Sequence, residues 1–90
     1  MSVLARTTEV ARIALEAAEH GNQNSLSDAG VGGSVALAAA EGAFYNVLIN
    51  LKDITDEAYA TEMRSKADAA LAETTEIVGE VKKVTLAGIA

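Results

Sequence analysis

Proline and cysteine are both absent from the 90 residues, and only three residues are aromatic. Without cysteine there is no disulfide scaffold, no Cys-based zinc site and no thiol nucleophile. Without proline, long helices meet no built-in break, and a loop-rich or sandwich fold is disfavoured. Basic residues are scarce, seven against 13 acidic, for a net charge of −6. Arg6, Arg12, Lys52, Arg64, Lys66, Lys82 and Lys83 form no dense stripe. That argues against nucleic-acid binding, which rests on phosphate neutralisation. The one histidine, His20, has no carboxylate-rich cluster beside it, so no metal site is expected. No basic run followed by a continuous apolar stretch opens the chain. The reading is therefore no signal peptide and a cytoplasmic location.

What the chain has in abundance is thin apolar side chains. Half its residues are apolar, and nineteen are alanine. A core built from alanine needs backbones at close spacing. A lone domain of this size buries only about 60% of its unfolded surface. A partner subunit is the expected remedy, so the chain is expected to form a homodimer or higher oligomer. Residues 29–51 are apolar enough to compare with a membrane span. They include Glu41, Asn46, Asn50 and four glycines, and a buried helix of a soluble protein is the preferred reading, with no membrane partner.

The pattern predicts an all-α fold of three helices, about residues 4–20, 28–52 and 56–86, as one helical domain over 1–90. In the first, Val10, Ile13, Ala14, Ala17 and Ala18 follow the helical spacing of a buried face. His20 falls in its last turn, where an imidazole suits the helix dipole, and Gly21 sits where a left-handed cap is wanted. The polar run from Gly21 to Ser27 reads as a loop. The second helix is expected to open near Asp28, with Ser25 and Asp28 at capping-box spacing or Ser27 as the cap. It is apolar nearly all round, which predicts burial on most faces. Ala29, Gly33, Ala36, Ala40 and Ala43 give it one narrow edge. The third has Thr55 as its expected N-cap, with Ile54 stapling onto Tyr59. Its seam Ala60, Met63, Ala67, Ala70, Thr74, Ile77, Val81 and Val84 steps strictly by three and four. The first helix is too short to cover that seam, so part of it is expected to be left for another chain.

The usual catalytic constellations are missing. The cluster Gly30, Gly32, Gly33 has no preceding strand and no following Lys-Ser or Lys-Thr, so close helix contact explains it better than phosphate binding. The carboxylates of the third helix read as a solvated face. Polar groups in apolar surroundings remain. Asn46 and Asn50 lie one turn apart among Phe44, Val47, Leu48, Ile49 and Leu51, and asparagine is costly to bury unpaired. They point to an inter-helix hydrogen-bond network or to a ligand contact. Asp28 and Asn46 are 18 residues apart, on one helix face but about 27 Å apart along it. They cannot meet in one chain, but could meet if the second helix packed antiparallel against its own copy.

Two segments resemble a known family. Gly21-Asn22-Gln23-Asn24-Ser25-Leu26-Ser27-Asp28, followed by Gly42-Ala43-Phe44-Tyr45-Asn46-Val47-Leu48-Ile49-Asn50-Leu51, is similar to the motifs of the cyclodeaminase/cyclohydrolase family. That family includes the cyclodeaminase part of formiminotransferase-cyclodeaminase and the methenyltetrahydrofolate cyclohydrolases. The resemblance runs from about residue 9 to 84. Gln23 departs from it, proline being common there. It implies an all-helical, dimeric half-domain bundle completed by oligomerisation, because the family domain is about twice this long and only its second half is matched. The first half's Pro-Gly-Gly-Gly-Ser-type motif is echoed only faintly, by Val31-Gly32-Gly33-Ser34. A chain supplying that first half is a further expected partner.

By the resemblance, the substrate is 5-formiminotetrahydrofolate or 5,10-methenyltetrahydrofolate, with no cofactor besides this folate substrate. Asp28 is the acid/base or charge-stabilising candidate. Asn22, Asn24, Ser27, Asn46 and Asn50 are the substrate-binding candidates. A carboxylate at a helix N-terminus is favoured in its ionised form, which suits Asp28 to a cation better than to proton donation. The competing reading is a non-catalytic helical module that self-associates or binds a partner polypeptide.

Overall fold

The computed structural model describes residues 1–20 and 23–89; of residues 23–25 it describes the backbone alone. Three helices make up the described chain: α1 Ser2–His20, α2 Gln23–Leu51 and α3 Glu57–Ile89. Each packs against the other two in an up-down-up bundle 51 × 17 × 15 Å in extent. The all-α expectation holds, and no strand occurs among the described residues.

The core is a column of thin residues in three layers. At one end Leu4 meets Ala40, Phe44 and Ala67. In the middle Ala11, Ala36 and Val78 pack together. At the other end Ala18, Leu26 and Ala29 close the bundle with Val84. The narrow edge of α2 is its inner face: Ala29, Gly33, Ala36 and Ala40 are buried and Ala43 half-buried. A β-carbon on Gly33 would lie 3.0 Å from Val81 Cγ1, and one on Gly30 would lie 2.8 Å from Thr85 Cγ2. At those two glycines side chains of α3 press directly on the backbone of α2. Two polar links cross the interior among the described residues: the hydroxyls of Thr8 and Thr74 meet at 2.6 Å, and the Thr85 hydroxyl donates to the Leu26 carbonyl at 3.5 Å. No buried side-chain nitrogen or oxygen among the described residues lacks a hydrogen-bond partner.

Four expectations change. The buried seam of α1 is Leu4, Thr7, Thr8, Ala11, Ala14 and Ala18, whereas Val10 and Ile13 are 49% and 66% exposed. Both stripes have helical spacing, and only the thinner one fits between closely spaced neighbours. The seam of α3 is not left over for another chain: α2 runs alongside it, and Ala67, Thr74 and Val81 are fully buried inside this bundle. Helix α2 is buried on one face only. Its stretch Leu26–Leu51 is long and apolar enough to cross a membrane by length and composition, yet 11% of its most apolar window is buried within the chain. Val31, Val35, Tyr45 and Ile49 all lie more than half exposed.

The helix starts also shift. α2 begins at Gln23, so Ser25–Asp28 is no capping box, Ser27 no cap, and Asp28 is the sixth helical residue. Buried Leu26, packed on Ala18, Ala29 and Val84, draws this weakly helical polar segment into the helix. At α3 the cap is Asp56 rather than Thr55. Its Oδ1 accepts the Tyr59 N–H at 3.1 Å, and its carbonyl accepts the Ala60 N–H at 3.0 Å. Ile54 and Tyr59 both line a small cavity at that end. His20 is in the last turn of α1 as expected. The cap expected at Gly21 lies outside the described residues.

Because the seam is internal, Val81→Asp strands a charge in the core and costs about 3–5 kcal/mol, enough to unfold a marginal bundle. Val35→Asp, on the outer face, leaves the chain folded. Far-ultraviolet circular dichroism of the two variants distinguishes an internal seam from an external one.

Candidate functional site

The motif residues are carried on one helix. Ser27 and Asp28 are exposed in the second turn of α2, and Asn46 and Asn50 are exposed in its last two turns. Asn24 is helical in backbone, its side chain lying outside the description, and Asn22 lies outside the described residues altogether. Successive rotation turns Ser27 and Asp28 to different neighbours. Ser27 borders a groove between α2 and α3 with Gly30, Val31, Ser34 and Thr85. Asp28 borders a groove of about 350 Å³ between α1 and α2, with Val10, Ile13, Ala17 and Gly32 on its walls. That makes Asp28 the lone charge on an otherwise apolar groove.

At the far end Asn50 borders a cavity of about 190 Å³ with Met1, Ile54, Tyr59 and Met63. Neither the Asn46 nor the Asn50 amide makes a hydrogen bond to another described residue. The internal network entertained for them is therefore not formed among the described residues. Asp28 and Asn46 share a face of α2 and stand about 27 Å apart along it at 1.5 Å per residue. The bundle does not bring the two motif segments together. Asp28 also loses its argument from the helix dipole, which fades beyond the first turn.

One feature of the far end escaped the sequence pattern. Lys52, Thr61 and Arg64 line an open groove with Leu48, Leu51 and Ala60, and the Arg64 guanidinium sits 5.7 Å from the Phe44 ring centre. Arg64 also pairs with Asp68 at 3.2 Å. The other ion pairs, Arg12–Glu73, Lys66–Glu62 and Lys83–Glu80, are exposed. Such pairs are worth well under 1 kcal/mol each. Among the described residues no group of three His, Asp or Glu is placed to hold a metal ion.

These features define an all-helical bundle whose described motif residues, Ser27, Asp28, Asn46 and Asn50, lie on its outside at the ends of one helix. The family described as formiminotransferase-cyclodeaminase matches residues 1–69, and the chain belongs to that family. Its relatives include formimidoyltransferase-cyclodeaminase of Gallus gallus, 56% identical over 45 residues, which are 50% of this chain and 8% of that protein. The enzyme of the same name from Rattus norvegicus is 40% identical over 58 residues, 64% of this chain and 11% of that protein. Methenyltetrahydrofolate cyclohydrolase of Methylorubrum extorquens is 42% identical over 65 residues, 72% of this chain and 31% of that protein. The chain thus spans less than a third of the length of the relatives it matches. No solved structure matches it at the same stringency.

The exposed positions set the stability expectations. Asp28→Asn changes the unfolding free energy by less than about 0.5 kcal/mol, as exposed substitutions usually do. Asn46→Ala raises it by up to about 0.7 kcal/mol, since alanine is the better helix former and no bond is lost. Urea denaturation in dilute solution measures both.

Proposed function

We propose that the chain acts in folate one-carbon metabolism as a binding unit of the cyclodeaminase/cyclohydrolase type, with 5-formiminotetrahydrofolate or 5,10-methenyltetrahydrofolate as its ligand. The observation that supports this most is the family match over residues 1–69, which includes both motif segments, 21–28 and 42–51. Cyclodeamination closes a ring and expels ammonia; the cyclohydrolase reaction adds water to the methenyl carbon. Both put positive charge on the one-carbon unit. The Asp28 carboxylate, alone on its apolar groove, is suited to oppose that charge. Asn22, Asn24, Ser27, Asn46 and Asn50 supply amides and a hydroxyl that orient a polar heterocycle. With the two motif segments at opposite ends of α2, turnover requires a second polypeptide, either another copy or a chain resembling the family's other half. The reading carries a cytosolic location and no additional cofactor with it.

A second reading, a non-catalytic association module, is favoured by the bulky apolar residues left outside the bundle, Val10, Ile13, Val31 and Val35. Titration calorimetry with each folate decides between them. Asp28→Asn is expected to weaken folate binding about 10- to 100-fold, the scale of a charge-assisted contact. Absence of heat with both folates, or an unchanged affinity in Asp28→Asn, leaves the association module as the function.

A further inference from the structure

The open groove between α2 and α3 at the far end of the bundle carries a charge that runs against the chain. Acidic residues outnumber basic ones 13 to seven in the sequence, yet the groove is lined by Lys52 and Arg64 and by no carboxylate. Leu48, Leu51 and Ala60 give it apolar walls, and Thr61 adds a hydroxyl. Its volume is about 490 Å³, room for a small organic molecule.

Arg64 is held in place from two sides. Its Nε donates to Asp68 Oδ1 at 3.2 Å, and its guanidinium carbon lies 5.7 Å from the centre of the Phe44 ring. Phe44 belongs to the core layer built on Leu4, so it backs the guanidinium with a fixed ring. An exposed ion pair one helical turn long accounts for the Asp68 contact, but not for the seat on Phe44. The two terminal nitrogens of Arg64 make no hydrogen bond to another described residue. They form a planar fork, which matches a carboxylate with two parallel N–H···O contacts.

Lys52 is the first residue past α2, and its ammonium pairs with no described carboxylate. The carbonyls ending α2 favour a cation at this position without neutralising it. Asp53, Asp56 and Glu57 follow closely in sequence, but none lines the groove, and Asp56 is engaged in the α3 cap. Two cations against one contacting carboxylate, Asp68, leave the site a single positive charge. That balance suits one carboxylate better than a phosphate dianion, which Asp68 would repel.

We infer that this groove binds a small monocarboxylic acid with a flat apolar body, of the aryl carboxylate class. The carboxylate rests on the Arg64 fork, with Lys52 as the second cation and the Thr61 hydroxyl donating to it. The apolar body lies along Leu48, Leu51 and Ala60 and leaves water. Neither half suffices alone: a bare acid has only solvated charges to meet, and a neutral ring leaves the fork unused. The site uses neither Asp28 nor a second chain.

The probe is 2-naphthoate, titrated into the full chain at low salt and followed by amide chemical shifts. Shifts confined to Leu48, Leu51, Ala60, Thr61 and their neighbours are expected, saturating at about millimolar concentration. Acetate and neutral 2-naphthamide should bind at least roughly tenfold more weakly. Lys52→Gln should raise the dissociation constant about three- to tenfold with helix content unchanged, since that side chain holds no partner. Arg64→Lys keeps the charge but loses the fork and the flat face, and should weaken binding by at least as much. Equal binding of naphthamide marks a merely apolar cleft, and tighter binding of inorganic phosphate marks a bare charge site. Either result overturns the inference, as do an absence of saturable shifts, shifts centred elsewhere, or an affinity unchanged in Lys52→Gln. No folate is present, so failure here is separate from failure of the folate reading.

Discussion

The structure depends on how closely three backbones can approach. Alanine and glycine line the inside of α2, and alanine and threonine the inside of α1, so the helices meet with little between them. Close contact supplements the few bulky core residues, Leu4, Leu26, Phe44, Val78 and Val81: many short-range dispersion contacts accumulate between the thin ones. The same constraint decides what is excluded. Valine and isoleucine at Val10, Ile13, Val31 and Val35 are too wide for that interior and end up outside it. Along the middle of α1 and α2 the inner face is thin and the outer face bulky, the reverse of the usual arrangement.

That reversal explains which features were legible in the sequence. The three helices, the inner edge of α2 and the seam of α3 follow from spacing alone, because each has one dominant stripe of small or branched residues. For α1 the spacing allows two stripes. Ranking them by hydrophobicity selects Val10 and Ile13, whereas the available width selects Leu4, Ala11, Ala14 and Ala18. Width is a property of the neighbours, so it cannot be read from α1 itself. The start of α2 was misplaced for a related reason. The residues before Asp28 are poor helix formers, and only the tertiary burial of Leu26 makes them helical.

The candidate site was legible as residues and not as a place. Gly21 to Asp28 and Gly42 to Leu51 stand out by composition and by family resemblance, and the family match includes both. Their separation along a single straight helix was calculable from 18 residues at 1.5 Å each. What the sequence did not show is that neither α1 nor α3 brings the two ends together. Asn46 and Asn50 have exposed amides with no partner among the described residues, and Asp28 faces a groove of alanine, valine, isoleucine and glycine.

Leu26 presses its side chain onto the backbone of Gly88, the next-to-last residue of α3. That contact ties the beginning of α2, where the first motif lies, to a point 19 residues beyond the family match, which stops at 69. The last turn of α3 therefore works as a latch on the motif-bearing end. A methyl group on Gly88 would collide with Leu26 and let the opening turns of α2 fray first, while the Leu4–Phe44 layer at the opposite pole stayed closed.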